Sequence, residues 1–245
     1  MLGIIGGSGL NDLANLEVTR REVVRTPYGE PSAPLLFGKL AGREVVFVAR
    51  HGHGHTIPPH EVNFRANIWA LQAQKVACVV SVASVGGIRA DLSPGVLCVP
   101  DQILDYTYGR RHTFVSRDDG TVKHIDFTHP YCERLRQDLA RAAQAAGEPL
   151  LMGGTYATTQ GPRLETAAEI NRLERDGADM VGMTGMPEAG LARELDVRYA
   201  ALTVVANWGA GRASSTQGIE MNEINAVLKT AMARVRRILE QLVVQ

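Results

Sequence analysis

The stretch GIIGGSGL, Gly3 to Leu10, sets the frame for the whole chain. Its apolar start reads as a short buried strand that runs into a glycine-rich turn, the arrangement by which many α/β proteins hold a phosphate group. Two familiar phosphate motifs do not fit. The dinucleotide pattern G-x-G-x-x-G would need a small residue where Asp12 follows Gly7 and Gly9, and a P-loop would need a Lys-Ser/Thr pair that the segment lacks. Glycines at 6, 7 and 9 are expected to permit positive φ and to turn several N–H groups toward one point. Ser8 adds a hydroxyl, which together suits a small free anion. An ordinary strand-to-helix turn explains the same glycines.

Working outward, apolar β-rich runs recur at Glu44–Ala49, Ala77–Ala83, Val96–Pro100, Leu150–Thr158, Asp179–Met183 and Arg198–Ala206. They are continuous rather than alternating, as expected for strands covered on both faces. Helical stretches lie between them, near Pro59–Gln74, Pro130–Ala146, Thr166–Gly177 and Pro187–Leu195. The order predicts one α/β domain, residues 1–245, with helices on both sides of a sheet. From Glu220 to Val244, apolar residues including Met221, Ile224, Leu228, Met232, Val235 and Leu239 recur at steps of three and four, the stripe of an amphipathic helix. The polar, basic loop Gly109–Lys123 is long for a connection inside a domain and reads as a lid or an interface segment.

Composition narrows the function classes. Lys plus Arg equals Asp plus Glu at 26 each, and the basic residues are scattered, so no field recruits nucleic acid or a membrane by charge. The longest apolar stretch, Val76–Ile88, is too short and interrupted to span a bilayer. No basic segment precedes the first apolar residues, and the three cysteines, Cys78, Cys98 and Cys132, have no zinc-ligand spacing. A cytoplasmic protein with free thiols is expected.

The segment ARHGHGHTIPPH, Ala49 to His60, follows a strand directly, so Arg50 and His51 emerge where open α/β sheets bind ligands. Arg50 would offer a planar fork to a phosphate. His51, His53 and His55 could instead share one face of a strand as metal ligands, the basis of a metal-dependent hydrolase, or be solvated in a loop. Further strand ends carry Ser84 with Gly86 and Gly87, which a tight structural turn also explains, Met183 and Thr184 in DMVGMTGMPE, and Asn207 in TVVANWGAG, while Glu165 in TTQGPRLET stands at a helix start as an exposed first-turn residue or a buried acceptor. Asn207, after four apolar residues, has no packing role.

GIIGGSGL, ARHG-x-x-HT, VNFRANIWAL, GPR-x-E, DMVGMT-x-x-PE and VLKT together resemble, over essentially the whole chain, the trimeric purine nucleoside phosphorylase family, most closely its methylthioadenosine phosphorylase branch. The resemblance implies a central mixed, largely parallel twisted sheet flanked by helices. It implies that free inorganic phosphate attacks a purine nucleoside, with no metal and no organic cofactor. Phosphate ligands are expected at Ser8, Arg50, His51, Ser84 and Thr184. Leu164, Glu165, Met183, Asn207 and Ile224 would contact the nucleoside, with Asn207, Glu165 and His51 in catalytic roles. His124 would reach a neighbour's pocket in a homotrimer.

Two positions depart from the adenine-handling pattern, which carries Asp where Asn207 and Gly209 stand. An amide donates to a purine O6 and accepts from a protonated N7, and Glu165 accepts from N1–H, a proton adenine lacks. At the other end Ile224 stands where inosine and guanosine phosphorylases have a His for the 5′-hydroxyl. The expected nucleoside is 5′-methylthioinosine, with methylthioadenosine, inosine and guanosine as alternatives.

Overall fold

The computed structural model of the chain describes residues 1–10, 13–116 and 122–245. Residues 117–121 of the polar loop, and Asp12, lie outside the described residues. Eleven strands are described: β1 (Leu2–Gly6), β2 (Glu17–Glu22), β3 (Leu35–Leu40), β4 (Arg43–Ala49), β5 (Cys78–Gly87), β6 (Leu97–Val99), β7 (Gln102–Asp105), β8 (Leu151–Met152), β9 (Thr155–Thr158), β10 (Met180–Gly182) and β11 (Arg198–Trp208). They form one sheet in the order β2-β3-β4-β1-β5-β10-β9-β7, with β11 pairing β5 and β6, and β8 pairing β6.

The sheet is mixed and largely parallel, as the resemblance implied. β1 runs parallel to β4 and β5, and β5 parallel to β11, whereas β10 is antiparallel to β5. Five helices flank it: α1 (Phe64–Ala73), α2 (Glu133–Ala145), α3 (Ala167–Arg175), α4 (Gly185–Glu194) and α5 (Met221–Val244). One core layer packs Ile4, Val80 and Leu202 of the central strands against α2 and α5. The opposite layer packs Ile5, Val79 and Ala201 against α1 and α4. Successive strand residues point to opposite faces, so a strand buried on both sides must be apolar throughout. This is the pattern of GII, VVFVA and VVSVA.

Local chemistry fixes the boundaries. The Thr166 side chain accepts from the Glu169 backbone N–H while Glu169 reaches back, a capping box that starts α3. Asn63 caps α1, and the expected first turn at Pro59 is a separate 3-10 turn, Pro59–Glu61. The run Leu150–Thr158 is two strands, because Gly153 and Gly154 between them sit at φ of 91° and 137°. Strands β2, β3 and β7 are additions to the sequence reading. β2 is EVTRRE, exposed along nearly its whole length at the sheet edge, and carries no apolar signature. No helix among the described residues is long and apolar enough to cross a membrane.

Candidate active site

The carboxyl ends of β1, β4, β5 and β11 open into a cavity of about 1020 Å³, closed on one side by the first turns of α5. Ser8, Arg50, His51, Ser84, Leu164, Glu165, Met183, Thr184, Asn207 and Ile224 all line it. These residues come from seven separate segments, and the topology explains their meeting. β10 is antiparallel to β5 with Val181 opposite Gly86, so continuing that register brings Met183 level with Ser84.

The glycine turn is built differently from the sequence expectation. Of Gly6, Gly7 and Gly9, only Gly9 has positive φ, at 81°. Gly6 is packed against the Leu10 carbonyl and the Phe47 ring, and a Cβ on Gly7 would come within 2.7 Å of Arg50 Nη1. Two of the three glycines therefore serve close approach rather than a left-handed turn. The second correction concerns Arg50, which is fully buried. Its fork faces protein: Nε donates to Glu188 Oε2 at 2.7 Å and Nη2 to Glu188 Oε1 at 3.0 Å, while Nη2 also meets Ser81 Oγ and Nη1 meets the Val82 carbonyl. Of five N–H groups, one on Nη1 is left for an anion.

Glu188 is likewise fully buried and also accepts from Ser81 and Tyr199. Burial pushes its carboxyl up, but Arg50 and these hydrogen bonds outweigh that and hold it below the usual carboxylate value. His51 is the opposite case: burial, then the Arg50 charge, lower its pKa to about 4. Its Nδ1 lies 2.9 Å from the Ile57 carbonyl, which only accepts, so Nδ1 carries the proton and Nε2 is left with a lone pair. The Ser8 hydroxyl lies 3.5 Å from His55 Nε2.

Elsewhere in the cavity, β11 shifts register between Val205 and Asn207, a bulge that re-aims Asn207 as it leaves the sheet. Asn207 Nδ2 donates to the Trp208 carbonyl at 2.6 Å. Glu165 Oε1 accepts from Thr159 Oγ1 at 2.6 Å, which leaves Oε2 for a ligand. Ile224 belongs both to the core and to the cavity wall, with Met221, Asn225 and Leu228 lining the same wall from α5.

His124 and His53 are exposed and absent from the lining. The His51 and His55 rings sit 4.5 Å apart, but among the described residues no three His, Cys, Asp or Glu side chains come together as a metal site. The expected strand-face triad fails because Gly52, Gly54 and His55 all have positive φ, so the segment turns instead of extending.

Residues 1–244 match the Phosphorylase superfamily. The chain belongs to that family. It is 52% identical, over 95% of its length and 94% of the relative's, to the probable S-methyl-5′-thioinosine phosphorylase of Pseudomonas syringae pv. tomato. It is 44% identical to the probable 6-oxopurine nucleoside phosphorylase of Thermococcus kodakarensis, covering 94% of this chain and 91% of that one. Among solved structures, a methylthioadenosine phosphorylase from Schistosoma mansoni in complex with adenine superimposes with a TM-score of 0.93 at 33% identity, covering 99% and 90% of the two chains.

Within this phosphorylase, the sequence reading missed Glu188, Ser81, Thr159, Asn225 and Arg110. Glu188 stands in the quoted DMVGMTGMPE string, where a glutamate after proline reads as a first-turn helix residue. A Glu in a helix that is otherwise buried throughout, Pro187 to Ala192, was the available signal. Ser81 and Arg110 carry none, because their partners lie far away in sequence.

Proposed function

We propose that the protein cleaves S-methyl-5′-thioinosine with inorganic phosphate, releasing hypoxanthine and 5-methylthioribose 1-phosphate. The observation that carries the reading is the orientation of Asn207. The Trp208 carbonyl accepts only, so the amide nitrogen lies against it. That leaves one Nδ2 N–H for a purine O6 and Oδ1 for N7–H, the complement of a 6-oxopurine. Glu165 Oε2 accepts from N1–H.

In the proposed reaction a phosphate oxygen forms a bond to C1′ as the C1′–N9 bond breaks, and the electron pair passes into the purine. Ser8, Ser84, Thr184, the remaining Arg50 N–H and His51 hold the phosphate, His51 Nε2 accepting from its O–H. The anion stabilises the positive charge that develops on the sugar, while Asn207 stabilises protonated N7 of the departing base. Met183 and Leu164 contact the sugar and base, and Ile224 faces the 5′-methylthio group. Asn225 on the same wall favours inosine as a secondary substrate, since its amide can meet a 5′-hydroxyl.

The working unit is proposed to be a homotrimer in the cytoplasm, with His124, exposed in one protomer, completing a neighbour's pocket. Phosphate is a co-substrate, and no metal or organic cofactor takes part. The test is release of base from methylthioinosine, methylthioadenosine, inosine and adenosine, each with and without phosphate and with EDTA. Base release without phosphate, or its loss in EDTA, would overturn phosphorolysis. Equal kcat/KM for methylthioinosine and methylthioadenosine would overturn the base assignment. Light scattering that finds a fully active monomer, with His124→Ala unaffected, would remove the trimer.

A further inference from the structure

Arg110 does not line the cavity, yet it touches both of the segments that form the nucleoside side of it. Nε donates to Gln160 Oε1 at 3.1 Å, and Nη2 to the Thr159 and Gln160 carbonyls at 3.2 and 2.8 Å. Nη1 donates to the Met183 and Met186 carbonyls, each at 2.8 Å. All five guanidinium N–H groups thus end on neutral oxygens, and none of these acceptors is a carboxylate. The guanidinium also lies 5.4 Å from the Phe64 ring. A half-buried arginine gains little net stability from carbonyls alone, because the water it gives up served it as well. Five fixed acceptors in one fork define a geometry instead.

The acceptors identify what is held. Thr159 is the residue whose hydroxyl donates to Glu165 Oε1. Met183 and Met186 flank Thr184. Gly161, within the Thr159–Glu165 arm, leaves no room for a Cβ beside the Met183 thioether, so the segments already touch and Arg110 fixes how.

We propose that Arg110 is a positioning residue that sets purine selectivity, by locking the Thr159–Glu165 arm to the Met183–Thr184 wall. The proposal builds on the 6-oxopurine reading of Glu165. Movement of either wall by about 1 Å is enough to cost a hundredfold in rate. A lysine brings three donors on one nitrogen and reaches only one wall.

The experiment compares the parent enzyme with Arg110→Lys, Arg110→Ala and Thr159→Val, using kcat/KM for methylthioinosine and methylthioadenosine and the phosphate KM. In both Arg110 variants the selectivity ratio is expected to fall by about tenfold or more and the phosphate KM to rise severalfold. Thr159→Val is expected to lower the ratio and leave the phosphate KM near the parent's. Added guanidinium should restore the ratio in the Arg110→Ala protein. A folded Arg110 variant that loses activity equally on both nucleosides, with the phosphate KM unchanged, overturns the proposal; if Arg110→Ala does not fold, Arg110→Lys decides. Should the parent itself show no 6-oxopurine preference, the Glu165 reading fails, and an unchanged phosphate KM in the Arg110 variants then overturns the positioning role separately.

Discussion

Arg50 and Glu188, 138 residues apart in the chain, meet as a two-pronged ion pair from which water is wholly excluded. Each charge is paired and hydrogen-bonded, which is the condition under which burial is tolerated. The pair neutralises itself, so Arg50 turns a single N–H rather than a free guanidinium toward the cavity in which the phosphate is proposed to bind. Removing one partner strands the other: Glu188→Gln should destabilise the fold by about 3–5 kcal/mol, while the double replacement Arg50→Met with Glu188→Leu should cost less than either change alone. Urea unfolding of Glu188→Gln, of the two single replacements Arg50→Met and Glu188→Leu and of the double variant measures this, and a Glu188→Gln protein as stable as the parent would contradict it.

The Asn207–Trp208 bond alters the outcome expected for an aspartate at that position. A carboxylate in the same rotamer would set an oxygen 2.6 Å from the Trp208 carbonyl, with no proton between them. Asn207→Asp should therefore lose methylthioinosine activity by about a hundredfold or more, from mismatched buried groups worth roughly 1–3 kcal/mol each. Recovery on methylthioadenosine should stay incomplete, because Gly209 brings no second carboxylate. The measurement is kcat/KM for both nucleosides; undiminished methylthioinosine turnover would remove Asn207 from base recognition.

At the sugar end, Ile224→His should narrow the preference for methylthioinosine over inosine. A 5′-hydroxyl turned toward Ile224 rather than Asn225 lacks a partner at a cost on the order of 1–3 kcal/mol, which a ring nitrogen at position 224 can offset. Paired kinetics on the two nucleosides read the change directly. An unchanged ratio would mean that Asn225 or another wall residue sets the discrimination.

His51 gives the stability a defined pH dependence. Its folded pKa, about 4, lies below the ordinary 6.5 because of burial and the Arg50 charge. Between these values the unfolded chain binds a proton that the folded one does not, so stability is complete above about pH 6.5 and falls as the pH drops toward 4. The loss is at most on the order of 3 kcal/mol. Urea unfolding at pH 7 and pH 5 should show a smaller difference in His51→Asn than in the parent. An equal difference would assign the slope to other groups.

The strands and helices that carry the site were readable because each is apolar through its whole length or amphipathic at a helical period. Ser8, Ser84, Thr184 and Asn207, which line the cavity, stood out in the sequence because each is a polar residue within or just beyond the end of an apolar run. Arg50 lines the cavity, but most of its fork is taken by Glu188, Ser81 and Val82, and nothing near it in sequence announces Glu188. Gly6 and Gly7 were read as turn residues for the same reason: the atoms that forbid a side chain there belong to Leu10, Phe47, Val82 and Arg50, three of them beyond the local window. Edge strand β2 was missed because its residues face water on both sides. Short-range periodicity reports burial, whereas the partner of a buried charge is a property of topology.

Helix α5 separates two duties along its length. Its opening turns present Met221, Ile224, Asn225 and Leu228 to the ligand space, while Val235, Ile238 and Leu239 further along are completely enclosed by the protein. The anchoring half holds the helix in place, so exchange of the exposed cavity-lining side chains Met221 and Asn225 leaves the core intact. That wall of the cavity can thus change shape while the wall built from Ser8, Arg50 and Ser84 at the strand ends is left as it is.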